Sequence, residues 1–495
     1  MLFRQRCCTI LGHWSIVSRA STIWGRRVVS TDISVSTMTN DEELSKQLEL
    51  IKYTKLSYPK ERAALIPAAI DFWNNAINYW DRRTKYAKMK PSPYVFYRGT
   101  ALLYWFDFGE DERLTKFGNE HTTTWLSGDY HAYNAGSFDG TPVVYGLNDF
   151  DESVVADYQL DLWRLAISIV LIARQNKNLS KEDLENVIDA VSAKYLERMR
   201  HFVTHKPSIE QKLTKDNTYG KLQDFLKIIE DNYSREKMLD KWCPKGEDGT
   251  RHWDLSRTKL GSATAQEKQA ILSAMKKYCN TLHEPVDASN FEVLDISRFL
   301  LAGTGSLGND RFYALIQDKK AGVGRILDVK YQPKPAPYSY ISKEAQAIYD
   351  EHAQGNDALR VVIAQRKLST SPDPFAGWME LFGKFYSVQE RSPFKESFPA
   401  LTVEAKGSFK NLKLDSKKKY EEMAEQWAWV LASHHAYATR EEKQSLEQNI
   451  VDLVGDQDDS FKALVRTIAF EYADQVQSDW NAFASALGAD IPAPE

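Results

Sequence analysis

Two short polar loops separated by a strand constrain the fold of this chain more than any other feature. The first loop carries Asp129 and, five positions later, Asn134; the second carries Asp149 and Asp151, and residues 142–147 between the loops are typical of a strand. An Asp five residues before an Asn can place a carboxylate beside an acceptor hydroxyl and an amide oxygen on Mg²⁺. A further Asp at the end of the strand can complete the metal site. The sequence therefore predicts a phosphoryl-transfer centre in which Asp129 is catalytic and the other three side chains bind metal.

A plainer alternative is that Asp129 and Asn134 are turn and cap residues, because Gly-Asp and Asn-Ala-Gly are ordinary loop sequences. The segment that follows the second loop favours the catalytic interpretation. Residues 157–173 predict a buried helix with Asp161 in its first turn. There a carboxylate suits the helix dipole and can accept backbone N–H groups from a neighbouring loop.

The order of these residues resembles the catalytic loop, metal-binding Asp and following helix of aminoglycoside phosphotransferases and other protein-kinase-like enzymes. The resemblance implies that Asp129 is the catalytic Asp and that Asp161 is the buried Asp that braces its loop. It also implies that Asn134 and Asp149 are Mg²⁺ ligands. One position departs from the pattern, because Ser127 stands where many members have a His.

Further blocks stand in a fixed order from about residue 80 to residue 485. They include Ser92-Pro-Tyr-Val-Phe-Tyr-Arg98-Gly, Asp328-Val-Lys330, His435-Ala436 and Tyr472-Ala-Asp-Gln475. In this order they resemble the mainly bacterial family catalogued as domain of unknown function 2252. That family supplies no reaction, so the functional prediction depends on the site.

A second constellation comes late in the chain. A Gly-rich turn precedes a strand-like run at 311–316, a turn at 322–324 and a second strand at 326–330. Glycines let backbone N–H groups approach phosphates without interference from Cβ, and a Lys on the next strand can neutralise phosphate oxygens. The turn is not followed by a helix, which argues against a dinucleotide-binding turn. The predicted ATP-binding residues are Gly303, Gly305, Ser306, Gly308 and Lys330; the alternative is an ordinary hairpin turn.

The order of the two constellations is unusual, since in kinases the Gly-rich loop and the Lys precede the catalytic loop. The predicted fold is therefore α+β, a protein-kinase-like two-lobe fold that is circularly permuted, with extra helical segments. Permutation is physically permissible because termini and loops lie on the surface. It requires Lys330 to lie within about 15 Å of Asp149, the reach of an extended Lys and a phosphate chain. The sequence Asp107-Phe-Gly109 is interpreted as a chance match, since no catalytic loop precedes it.

Five segments are predicted within the 495 residues, which contain enough apolar residues (43%) for a sizeable core. They are a leader at 1–37, helices and the catalytic segment at 38–204, a helical insertion at 205–290, the Gly-rich nucleotide lobe at 291–400 and a helical region at 401–495. The leader is rich in Arg and lacks Asp and Glu before residue 32, which resembles a mitochondrial transit peptide. An acidic, helix-like start follows Met38, so the leader can also be an upstream extension. Cytoplasmic localisation is expected, with the mitochondrial matrix as the alternative.

Composition argues against several classes of protein. A net charge of −4 does not indicate the excess of basic residues that is typical of nucleic-acid-binding proteins. The four Cys form no CxxC pair, so a zinc site or a disulfide framework is not expected. No stretch reaches 18 apolar residues, and no membrane span is expected. The expected partners are a nucleotide and an unidentified acceptor, and the oligomeric state is open.

Two further residues have open roles. Arg98 can clamp a phosphate or carboxylate through two hydrogen bonds, or can form a structural salt bridge. His131 can contact metal or substrate, or can be a hydrogen-bonded loop residue. The leading function is an ATP- and Mg²⁺-dependent phosphotransferase acting on a small molecule or a protein, with nucleotidyl transfer as a variant. The alternatives are a metallophosphoesterase whose metal site uses the Asp129/His131 and Asp149/Asp151 side chains, and a non-catalytic nucleotide-binding module.

Overall fold

Helices and antiparallel sheets alternate along the chain, so the fold is α+β as predicted. The structure, a computed structural model, describes residues 41–53, 59–138, 142–300, 307–441 and 445–487. The predicted leader and three predicted phosphate-binding residues (Gly303, Gly305 and Ser306) lie outside the described residues.

Helices open the described part of the chain, as the aliphatic and aromatic residues before position 90 predict. They are α1 Asp41–Leu50, α2 Pro59–Trp73, α3 Tyr79–Met89, α4 Pro93–Gly99 and α5 Ala101–Phe108. Helix α4 begins where the Ser92 side chain accepts the N–H of Val95, and Pro93 occupies its first turn.

The two polar loops lie between paired strands. These strands are β1 Thr123–Leu126, β2 Ala135–Phe138, β3 Val144–Leu147 and β4 Val154–Asp157. Strand β1 pairs with β4 and β2 pairs with β3, both antiparallel. The first loop therefore joins β1 to β2, the second joins β3 to β4, and both loops emerge at one end of the two strand pairs. The N–H of Asn148 in the second loop donates to the carbonyl of Asn134 in the first over 3.1 Å.

Two long helices follow, α6 Gln159–Asn176 and α7 Lys181–Thr204. Residues 159–173 of α6 are all buried, as the apolar run predicts. The side chain of Ser180 accepts the N–H of Asp183 and caps α7. These helices pack with the last helices of the chain around the main apolar core.

A six-stranded antiparallel sheet forms the second large element. Its strands are β5 Leu260–Ser262, β6 Phe291–Phe299, β7 Arg311–Asp318, β8 Val323–Tyr331, β9 Gly377–Leu381 and β10 Lys384–Glu390, in the order β5-β6-β7-β8-β10-β9. The hairpin β7–β8 appears where the sequence predicts two strands around a turn, and Lys330 lies near the end of β8. Strand β5 lies within the segment 205–290 and pairs with β6, so this segment contributes an edge strand as well as helices.

Helices cover both faces of this sheet. The helices from this half of the chain are α8 Gly220–Asn232, α9 Arg235–Trp242, α10 Ala265–Cys279, α11 Lys343–Ala353 and α12 Asp357–Leu368. Successive strand side chains point to opposite faces. Accordingly Leu327 packs in a core with residues of α10, and Ile326 packs in a core with Trp242 of α9.

After the six-stranded sheet, the chain again lies beside the first polar loop. Strand β11 Glu396–Ser397 pairs with β2, so the segment that leaves the six-stranded sheet joins the strand that follows the first loop. The remaining helices are α13 Lys417–Ala438, α14 Leu446–Val454 and α15 Asp458–Leu487. Helix α13 packs against α7, and α15 packs against α6 and α7. Within the described ranges no helix combines the length and the apolar character needed to cross a membrane.

Candidate active site

Asp161 holds the backbone of the first loop. Its two carboxylate oxygens accept the N–H of Ser127 over 2.7 Å and the N–H of Gly128 over 3.1 Å. Gly128 has φ +76, and a Cβ there would lie 1.9 Å from the carbonyl oxygen of Glu152. Only glycine fits this close approach of the two loops. His435 lies behind Asp161, with its Nε2 3.6 Å from the carboxylate and its Nδ1 2.9 Å from the hydroxyl of Tyr195.

Asp129 follows this braced turn and reaches the surface, with 15% of its side chain exposed. Nε of Arg164 donates to its Oδ1 over 2.5 Å. The Nε2 atom of His131 lies 3.8 Å from its other oxygen. Burial raises the pKa of Asp129 to about 6, while the charge of Arg164 opposes the shift and that of Asp149 adds to it. Asp129 is therefore a carboxylate that is ionised at neutral pH and can still accept a proton.

His131 is neutral in this setting. Burial and the nearby guanidinium groups of Arg98 and Arg164 hold its pKa well below the usual range. Its Nδ1 accepts the N–H of Tyr133 over 3.2 Å, so the ring proton belongs on Nε2, the atom that faces Asp129. His131 thus has the hydrogen bond of a structural loop residue while lying beside the candidate catalytic group.

Asn134 lies five residues after Asp129 and bonds back to it. Its amide nitrogen donates to the carbonyl of Asp129 over 2.8 Å, which fixes the orientation of the amide. Its backbone carbonyl accepts the N–H of Asn148, one residue before Asp149. The two predicted metal-binding loops are therefore joined by a direct hydrogen bond.

Asp149 and Asp151 have different electrostatic surroundings. Burial, then the charge of Asp151, raises the pKa of Asp149, and within the described ranges its carboxylate has no ion pair. Asp151 instead forms an ion pair with Lys330 and accepts Nε2 of Gln332 over 2.8 Å. Lys330 lowers the pKa of Asp151 against the opposing effect of burial. Within the described ranges Asp149 thus has no direct ion pair, although Lys330 and Lys395 act on it at longer range, whereas Asp151 pairs directly with Lys330.

Lys330 connects the six-stranded sheet to the second polar loop. Burial opposes its charge, but Asp151 and Asp149 together raise its pKa. Contact with Asp151 brings Lys330 within the distance of Asp149 that a permuted order requires. Protein kinases pair such a Lys with a helix-borne Glu. Here Lys330 instead pairs with Asp151, and both Glu344 and Glu351 on α11 are exposed.

Two more cations from the second half of the chain lie in this region. Arg311 on β7 pairs with Asp328 on β8. Lys395, in the segment between β10 and β11, has its pKa lowered by burial and by Arg311, while Asp328 and Asp149 oppose the shift. Within the described ranges the Lys395 ammonium has no ion pair. The site therefore carries one amino group that no carboxylate neutralises directly.

A cavity of about 270 Å³ adjoins the second loop and Lys395. Its apolar wall is made by Phe138, Leu147, Phe150, Phe375 and Phe394, and its polar wall includes Gln365, Gln389, Ser392 and Lys395. The cavity lies between strands β2 and β3 and the segment that leaves β10. The charged side chains of Arg235, Arg325, Asp373 and Glu390 also line it.

The structure brings most of the predicted site residues together. Asp129, Asn134, Asp149, Asp151, Asp161 and Lys330 belong to one region, with Arg98 and His131 beside Asp129. Gly308 has a different environment: its φ is +96, and a Cβ there would lie 2.6 Å from Cγ2 of Ile77. The positive φ and the close packing near the start of α3 each explain why a glycine stands at this position. Neither observation depends on a role in binding phosphate.

Several residues of this region were not predicted from the sequence. Arg164 was detectable in principle, because it lies three residues after Asp161 in α6 and such residues share a helix face. Lys395 and Gln332 carry no local signal, since only the tertiary arrangement of distant strands places them here. Within the described ranges no cluster of three or more His, Cys, Asp or Glu side chains is arranged to hold a metal. A metal here would use Asp149, the amide oxygen of Asn134 and oxygens from a ligand.

The comparisons with known proteins identify the family. The family model described as "Uncharacterized protein conserved in bacteria (DUF2252)" matches residues 82–486, and the chain belongs to this family. The match includes all the residues of the site described above. No curated protein and no solved structure matches the chain significantly.

Proposed function

We propose that this member of the DUF2252 family is an ATP- and Mg²⁺-dependent phosphotransferase with a kinase-like, circularly permuted fold. The six-stranded sheet is the nucleotide lobe, and the helices with β1–β4 are the catalytic lobe. The observation that carries the proposal is the ion pair between Lys330 on the sheet and Asp151 on the second loop. It joins the two predicted constellations in one site.

The order of elements around Lys330 supports the nucleotide lobe. The Gly-rich sequence 303–308 falls between β6 and β7 along the chain. Lys330 lies on β8, the third strand of the antiparallel run β6, β7, β8. Protein kinases likewise combine a Gly-rich loop over the phosphates with a Lys on the third strand. Lys395 and Arg311 add positive charge next to Asp149 and Asp151, as a polyphosphate requires.

The metal would be held by the first and second loops. Asp149 is the favoured ligand because burial and Asp151 raise its pKa, and no cation pairs with it within the described ranges. Asn134 donates through its amide nitrogen and so keeps its amide oxygen for a hard cation. Mg²⁺ bound to ATP supplies neutralisation of charge on the phosphates. Asp151 would act through Lys330, whose ammonium it positions.

Asp129 would orient the acceptor hydroxyl and accept its proton. Arg164 fixes the carboxylate, and Asp161 fixes the turn that carries it. Catalysis would then come from positioning and charge stabilisation, because phosphoryl transfer needs little covalent chemistry from the protein. The cavity beside Phe150, which has aromatic and polar walls, would receive the base of the nucleotide.

The alternatives account for fewer of these contacts. A two-metal phosphoesterase needs Asp129 and Asp151 as metal ligands, but Arg164 and Lys330 already bind these carboxylates. A non-catalytic nucleotide-binding module leaves the braced Asp129 without a role.

Thermal unfolding with nucleotide tests the proposal. ATP with Mg²⁺ should raise the thermal midpoint, and ATP with a chelator should raise it far less, because only the native state binds the complex. The same pair of scans on Lys330→Met should show a much smaller shift. The absence of any shift with millimolar nucleotide on the wild-type chain would refute the proposal.

A further inference from the structure

Arg98 on α4 is a half-buried arginine without an anionic partner. Within the described ranges no carboxylate lies at ion-pair distance from it, and its Nε atom is buried without a hydrogen-bond partner. Its guanidinium packs over the ring of Tyr133 at 4.8 Å and near the ring of Tyr94 at 5.8 Å. The sequence left two roles open for Arg98, an anion clamp and a structural salt bridge. Within the described ranges the structure shows no salt bridge. A guanidinium so placed has its hydrogen-bonding groups available for an oxyanion.

Other unpaired donors surround the same point. The hydroxyl of Tyr94 and the NH1 atom of Arg164 are also buried without partners, and both side chains are almost completely buried. The ring of Tyr94 lies 6.4 Å from the ring of His131, and both His131 and Arg164 lie beside the carboxylate of Asp129. The donors are therefore grouped near Asp129, and Glu404 is a further carboxylate that acts on Tyr94. Buried donors without partners are rare because each costs free energy, so such a cluster is an indication of a ligand.

The cluster adjoins Asp129 in the first loop, whereas Lys330 of the sheet contacts Asp151 in the second loop. Arg98 is among the main charges acting on Asp129 and His131. The main charges acting on Lys330 are instead Asp151, Asp149 and Arg311. The region is open to solvent near Glu404, an exposed residue that accepts the hydroxyl hydrogen of Tyr133. Asp129 is itself 15% exposed, so solvent reaches the carboxylate beside this cluster.

We infer that Arg98, with Tyr94 and Arg164, binds the anionic group of the acceptor, so that the acceptor is a small hydroxyl compound that also carries a carboxylate or a phosphate. This inference rests on the proposed function, because it places the anion beside the carboxylate that would accept the hydroxyl proton. Arg164 has NH1 to offer while Nε holds Asp129. The two arginines would neutralise the anion, and stacking on Tyr133 would limit the movement of Arg98.

Calorimetric titration of the full chain tests the inference with inorganic phosphate and glycerol 3-phosphate as probes. The titrations are made with the nucleotide site saturated by Mg²⁺ and a non-hydrolysable ATP analogue. Arg98→Gln should weaken probe binding at least about tenfold, because hydrogen bonds to charged groups contribute about 1.5–3 kcal/mol. The affinity of Arg98→Lys for the probes should lie between those of the wild type and Arg98→Gln, since lysine keeps the charge but lacks the planar guanidinium. Arg174→Gln is the control, because this arginine pairs with the exposed Asp474 on the surface.

The outcomes separate this inference from the proposed function. Unchanged probe affinity in Arg98→Gln and Arg98→Lys, or no binding of either probe to the wild-type chain, would overturn it. A loss of affinity for the ATP analogue but not for ADP in Arg98→Gln would also overturn it, by assigning Arg98 to the γ-phosphate. If the wild-type chain binds no nucleotide, the proposed phosphotransferase function is refuted. An Arg98-dependent affinity for phosphate would then support the anion site alone.

Discussion

Lys330 and Asp151 form an ion pair although 179 positions separate them in the sequence. Lys330 lies on the strand β8 of the six-stranded sheet, and Asp151 lies in the loop after β3. The carboxylate also accepts Nε2 of Gln332, so Lys330 on β8 and the residue just after β8 both contact one residue of the second loop. Changes on β8 should consequently affect the second loop.

Lys330→Met should destabilise the protein and weaken nucleotide binding. It leaves Asp151, of which only 22% is exposed, without its cation, and we expect a loss of about 1–3 kcal/mol in the free energy of unfolding. The double variant Lys330→Met/Asp151→Asn should recover part of that stability, because the unpaired charge is removed, but not the nucleotide affinity. Urea unfolding and nucleotide titration measure the two effects. Lys418→Met, at an 84% exposed position of α13, is the control. Additive losses in the double variant would contradict a direct interaction.

Asp149→Asn should abolish the Mg²⁺-dependent part of nucleotide binding. Asp149 forms no direct ion pair within the described ranges and is the proposed metal ligand, so removing its charge should remove the main attraction for the metal. At a nucleotide concentration of about one hundred times the dissociation constant, a stabilisation of about 2.7 kcal/mol should disappear. Thermal scans with and without a chelator give the comparison. Asp474→Asn, an exposed carboxylate on α15, should keep the whole effect.

Asp129→Asn should separate binding from transfer. The variant keeps Asn134 and Asp149, so it should bind Mg²⁺ and ATP with nearly unchanged affinity. It loses the proton acceptor, and we expect the rate of phosphate release from ATP to fall about 10²- to 10⁴-fold. Calorimetric titration with metal in the absence of nucleotide tests the phosphoesterase alternative. Tight metal binding that is lost in Asp129→Asn would indicate a phosphoesterase-type metal site.

The sequence predicted the parts of this site that depend on local patterns. The spacing of Asp129 and Asn134 and the helix that carries Asp161 could be read from a few consecutive residues. The pairing of Lys330 with the second loop could only be stated as a requirement, because it depends on how the sheet packs against the helices. Lys395 is the clearest example of the remainder, because no local pattern places it beside Asp149. For Arg98 the sequence predicted either an anion clamp or a salt bridge, and only the tertiary structure shows that it has no ion pair within the described ranges.

The pH dependence of stability should reveal the raised pKa of Asp129. Burial raises this pKa from 3.8 to about 6, so the folded state holds the proton more tightly than the unfolded state. The carboxyl therefore contributes stability below about pH 4, and this contribution is lost as the pH rises through about 6. The difference in unfolding free energy between wild type and Asp129→Asn should accordingly change between pH 4 and 7 in favour of the variant. Phosphate release by the wild type should fall as the pH drops below about 6. A difference that does not change with pH would contradict the assignment.

Arg62→Met should lower the stability of the protein without altering the candidate site. We expect this because Asp107, in the chance sequence Asp-Phe-Gly, has a structural role. Arg62 is completely buried on α2 and bonds to Asp107 through NH1 and NH2 over 2.8 and 2.7 Å, and to Asp479 on α15. The variant leaves two buried carboxylates unpaired, and we expect a loss of about 3–5 kcal/mol in the free energy of unfolding. Arg174→Met, which breaks a surface pair, should cost less than about 1 kcal/mol. Both variants should bind Mg²⁺ and ATP as the wild type does at a temperature where they remain folded. If Arg62→Met kept its stability and lost metal-dependent nucleotide binding, Asp107 would belong to the metal site and the assignment of Asp149 would be wrong.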